Sequence, residues 1–65
     1  MLERLIKLAA DLRIAGNNVT GDYRNFFHDR ASMLESWIRG YRNGDEGDPE
    51  YRLQVIEEFE QLIIR

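Results

Sequence analysis

The sequence predicts an all-α fold: a small three-helix domain, a helical hairpin plus a third helix, forming one domain over residues 1–65 and most simply a dimeric helical bundle. Three observations predict it. Apolar residues recur at helical spacing in three segments. Two polar connections rich in Gly, Asn and Asp separate those segments. Helix-start residues open the second and third segments, Thr20 before one and Asp48-Pro49 before the other.

The first helix is expected over about residues 2–15. Leu5, Leu8, Ala9 and Leu12 form its apolar stripe, with Leu2 and Ile6 on the flanks. Glu3 stands in the first turn, where the helix dipole favours an anion, and Arg13 near the end, where it favours a cation. Gly16 is placed as the left-handed residue that ends the helix.

The second helix is expected over about residues 21–42. Thr20 reads as its N-cap, and Asp22 adds favourable charge in its first turn. Arg39 and Arg42 suit its C-terminal end, and Asn43-Gly44 supplies the stop.

The third helix is expected over about residues 49–64. Asp48 caps it, Pro49 takes the first helical position, where a missing N–H costs nothing, and Glu50 follows in the first turn. Val55, Ile56, Phe59, Leu62 and Ile63 form its stripe, with Leu53 and Ile64 beyond the main arc. Short connections make neighbouring helices antiparallel by default, giving an up-down-up arrangement.

Size makes any excess of apolar surface informative. A chain of 65 residues buries only about 60% of its unfolded surface and often needs a staple or a partner. There is no Cys, hence no disulfide and no thiolate zinc site, and a lone His28 does not make a histidine-rich metal site. The missing Cys fits a reducing cytoplasm, and a cytoplasmic location is the expectation. No segment carries an unbroken apolar run of the kind found in signal peptides or membrane spans.

Charge is unevenly distributed. Residues 1–42 hold seven basic against five acidic side chains, a net of +2; residues 43–65 hold two against seven, a net of −5. Two such halves attract each other, within one chain or between two copies.

The surplus lies in the second helix. Tyr23, Phe26, Phe27, Trp37 and Tyr41 are five of the chain's seven aromatics. On a helical wheel, Phe27, Ala31, Leu34 and Ile38 fall on one side and Phe26, Met33 and Trp37 on the other, with Tyr23, Arg30 and Tyr41 between. This arc of roughly 160° exceeds the 100° that a core-facing stripe requires. The first strip reads as core. The second reads as a contact surface, because Trp, Tyr and Arg are the types enriched at binding hot spots and Met adapts to many shapes. Phe26, Arg30, Met33, Trp37 and Tyr41 are therefore the candidate partner-binding residues. Arg30 must reach water, stack on Trp37 or Tyr23, or pair with a carboxylate.

No catalytic constellation stands out. His28 falls on the polar side of the second helix and is expected to be solvated. The Asp45–Asp48 loop lacks the alternating ligands of a calcium loop, and the glycines do not follow a phosphate-cradling spacing. The expectation is a non-enzymatic regulator or inhibitor without cofactor or metal. It would occlude a surface of a larger protein and self-associate as a homodimer. The alternative is a dimeric helical nucleic-acid-binding regulator using Arg24, Arg39 and Arg42, since eight of the nine basic residues are Arg.

Overall fold

The computed structural model describes residues 1–63 and contains three helices: α1 (Leu2–Asn17), α2 (Asp22–Arg42) and α3 (Pro49–Ile63). The all-α expectation is borne out, and no strand occurs among the described residues. Ile64, expected in the third helix, lies outside the described residues.

Leu5, Leu8, Ala9 and Leu12 of α1 are buried, as their spacing requires. They meet Ala31, Leu34 and Ile38 of α2 and Ile56 of α3 in one cluster. Leu5, Leu12, Leu34 and Ile56 are its largest fully buried side chains. Both other helices pack on α1, whereas α2 and α3 meet through long side chains. Arg4 ties α1 to α3 with a two-pronged ion pair to Glu60, at 2.8 Å from Nε and 2.6 Å from Nη2.

The helix ends correct the sequence reading in two places. α1 does not stop at Gly16 but continues to Asn17. Its stop is Asn18, whose Nδ2 donates to the carbonyl of Ile14 at 3.0 Å and so satisfies one of the orphan acceptors. Thr20 is not the cap of α2. Gly21 precedes the helix with φ 66° and ψ −140°, a backbone region open to glycine, and no side chain caps the first turn.

The other ends follow the sequence. The amide of Gly44 (φ 88°) donates to Tyr41 O at 3.1 Å, and that of Asp45 to Gly40 O at 2.8 Å. This paired return is the Schellman pattern, with glycine at the left-handed position. At α3, Oδ1 of Asp48 accepts from the amides of Glu50 at 3.1 Å and Tyr51 at 3.3 Å, the N-cap expected there.

Candidate functional site

The two strips of α2 separate as the wheel places them. Ala31, Leu34 and Ile38 are buried, and Phe27 packs against them. Phe26, Arg30, Met33, Trp37 and Tyr41 are all half-buried. The five candidates are not equivalent, however.

Trp37 and Tyr41 pack against the core and hold α3. The guanidinium carbon of Arg52 lies 5.0 Å from the Trp37 ring centroid and 5.3 Å from that of Tyr41, within cation–π range. Tyr51 meets Trp37 edge-on at 6.4 Å. Gly47 makes room for this arrangement, because a Cβ there would meet the Arg52 guanidinium.

Phe26, Arg30 and Met33 stand toward the outer side. Arg30 stacks on Phe26, its guanidinium carbon 3.5 Å from the ring centroid, and faces Phe59 of α3 at 5.8 Å. Its Nη1 donates to the carbonyl of Phe26 at 3.2 Å. The stacking partner is thus Phe26, one turn back, rather than Trp37 or Tyr23. Among the described residues the ion pairs are Arg4–Glu60, Lys7–Asp11 and Arg13–Glu35, so Arg30 is balanced by rings and a carbonyl and not by a carboxylate. Beside Phe26, an open hollow of about 340 Å³ is lined by Asp22, Tyr23 and Phe26, with Tyr23 72% exposed.

A larger open cleft of about 570 Å³ lies at the α1–α2 turn, walled largely by Ile14, Ala15, Val19, Phe27, Leu62 and Ile63. Its lining is apolar apart from Asp11 and Asn18.

One cluster escaped the sequence reading. Arg13, assigned there to the dipole at the end of α1, spans to α2 instead. Its Nε and Nη2 donate to the two oxygens of Glu35 at 3.0 and 2.7 Å. Nη2 also donates to Oγ of Ser32 at 2.9 Å, and Nη1 lies 2.9 Å from Nδ1 of His28. The hydrogen bonds from Arg13 hold the Glu35 carboxyl below the usual carboxylate range, against the opposing effect of burial. His28 is accordingly half-buried rather than solvated, with Nε2 enclosed against Gly16. The signal was legible: His28, Ser32 and Glu35 follow the i, i+4, i+7 spacing of one helix face.

Among the described residues, no group of three or more His, Cys, Asp or Glu side chains is placed to hold a metal ion, and no helix is long and apolar enough to cross a membrane. Arg24, Arg39 and Arg42 are exposed on α2. No family model, curated protein or solved structure matches the chain.

Proposed function

We propose that the chain is a non-enzymatic protein-interaction module of the cytoplasm: a small regulator or inhibitor that covers a surface of a larger protein with the aromatic side of α2. In this reading α1 and α2 act as a helical hairpin on which α3 is laid, and two copies associate as a homodimer. One observation carries it: the Arg30–Phe26 stack beside the open hollow at Tyr23, with no carboxylate paired to Arg30 among the described residues. A half-exposed cation on an aromatic ring offers a partner an apolar seat and a directional donor at one point. Phe26 and Met33 are the outer anchors. Trp37 and Tyr41 support them from within by fixing α3, and the acidic residues of α3 and its preceding loop steer encounter toward a basic partner surface.

Affinity capture from the source cells tests the reading, with wild type compared against Arg30→Ala and Phe26→Ala. Loss of the same partner from both variants is expected, and unchanged recovery of every captured protein contradicts it. Light scattering at tens of micromolar tests the homodimer; a strictly monomeric mass of 7.7 kDa removes that part.

The exposure of Arg24, Arg39 and Arg42 supports a second reading, a nucleic-acid-binding regulator. It is opposed by the formal net charge of −3. Salt-dependent retention on DNA, lost in an Arg39→Ala, Arg42→Ala double variant, would favour it over the first.

A further inference from the structure

We propose that Trp37 and Tyr41 form an aromatic seat for a guanidinium, occupied by Arg52 of the same chain, and that an arginine side chain of a basic peptide takes the seat when Arg52 withdraws. It rests on the reading of α2 as a protein-contact surface, and gives the partner its chemistry at these two rings. Trp37 and Tyr41 stand one turn apart on α2. The guanidinium carbon of Arg52, from α3, lies 5.0 Å from the Trp37 ring centroid and 5.3 Å from that of Tyr41. Both distances fall within the ~6 Å over which a ring face attracts a cation. Tyr51, 57% exposed, meets the Trp37 ring edge-on at 6.4 Å and forms the outer rim.

Arg52 is a replaceable occupant. Among the described residues the ion pairs are Arg4–Glu60, Lys7–Asp11 and Arg13–Glu35, so no carboxylate pairs with it there. Its Nη1 is buried without a hydrogen-bond partner among those residues. A desolvated donor left without an acceptor costs free energy and offsets part of the attraction of the rings. Nor does α3 depend on Arg52 for its place. Ile56 is fully buried in the core, and Glu60 is tied to Arg4 of α1 by two hydrogen bonds. The side chain of Arg52 leaves the rings while the helix stays.

The approach to the seat carries the charge that selects its guest. Gly47 lies against the Arg52 guanidinium, so close that a Cβ there would overlap it. The segment around Gly47 carries Asp45, Glu46, Asp48 and Glu50, all exposed. Their field draws in a cationic peptide and repels an acidic one. Arginine is the fitting guest, because a flat guanidinium stacks on ring faces and is more weakly hydrated than an ammonium.

Fluorescence anisotropy of a labelled tetra-arginine peptide with blocked termini tests the seat. Wild type is compared with Arg52→Gln, with the Arg52→Gln, Trp37→Leu double variant, and with Lys7→Gln, which removes the same charge from an exposed position on α1. Arg52→Gln is expected to bind about tenfold more tightly than wild type, because an internal occupant limits apparent affinity to the fraction of molecules whose seat is empty. Lys7→Gln should gain far less, and the double variant should lose the gain. Equal binding by wild type and Arg52→Gln, an equal gain from Lys7→Gln, or a gain that survives the loss of Trp37 overturns the seat. Should either Arg52 variant fail to fold, the emission of Trp37, the chain's single tryptophan, decides in the wild type. That emission shifts more with millimolar tetra-arginine than with tetra-lysine, and no shift or an equal one overturns the seat. The readout passes through Trp37 and not through Arg30 or Phe26. Its failure therefore leaves the capture experiment on the outer face standing, and failure of that capture leaves this result standing.

Discussion

A Cβ placed on Gly16 would stand 2.8 Å from Nε2 of His28, closer than real Cβ contacts allow. Glycine in a helix interior ordinarily costs about 1 kcal/mol relative to alanine, an upper bound for Gly16 in the last turn of α1. Here the missing methyl is the space into which the ring of α2 fits. Gly16→Ala is therefore expected to destabilise the fold by roughly 1 kcal/mol, because overpacking costs of about 1–3 kcal/mol outweigh the propensity gain. In a His28→Ala background the same substitution is expected to stabilise, since the ring is gone. Urea midpoints for the four proteins check both signs, and a wild-type-background gain on Gly16→Ala would show that the ring yields at little cost.

Acid stability follows from Glu35 and Glu60. Each carboxyl is held below its ordinary value of 4.5, chiefly by hydrogen bonds from Arg13 and Arg4 respectively. A depressed carboxylate stabilises the fold above its unfolded value and loses that contribution as pH falls through its folded value. Unfolding midpoints should therefore decline below about pH 4.5 and keep declining beneath it. Glu35→Gln should flatten part of this decline and lower stability at pH 7 by about 1 kcal/mol, a magnitude limited by solvent screening of a pair that is more than a third exposed. A decline below pH 4.5 as steep in Glu35→Gln as in wild type would remove the Arg13–Glu35 pair from the account.

The caps divide sharply. Asp48→Ala removes an acceptor from two amides of α3 and is expected to cost about 1 kcal/mol. Thr20→Ala, which removes no capping bond, should stay within roughly 0.5 kcal/mol of wild type. Thermal unfolding of the two variants side by side checks the contrast.

These cases also mark what was legible in the sequence. Periodicity located the three helices and the buried set of Leu5, Leu8, Ala9, Leu12, Ala31, Leu34 and Ile38, because burial of a stripe depends only on spacing. Asp48-Pro49 and Asn43-Gly44 announced their ends because the chemistry of those caps is local. Gly16 and Thr20 misled because each has a common local role that another demand displaced. In one case a ring from α2 needed the space; in the other a glycine took the backbone conformation before the helix. The need of Arg30 for a companion was legible from its place in an apolar arc. That the companion is Phe26 depends on side-chain rotamers and on how far α3 stands from α2, which no spacing encodes.

The most direct test of the interaction face is photo-crosslinking from position 33, on the outer strip of α2, compared with position 3, on the exposed side of α1. A photoreactive residue replacing Met33 is expected to join the chain covalently to a second polypeptide, a copy of itself or a larger protein, in high yield. The adduct should disappear when Arg30→Ala is added. Equal yields from positions 33 and 3, or a position-33 adduct indifferent to Arg30→Ala, would contradict the assignment of this face.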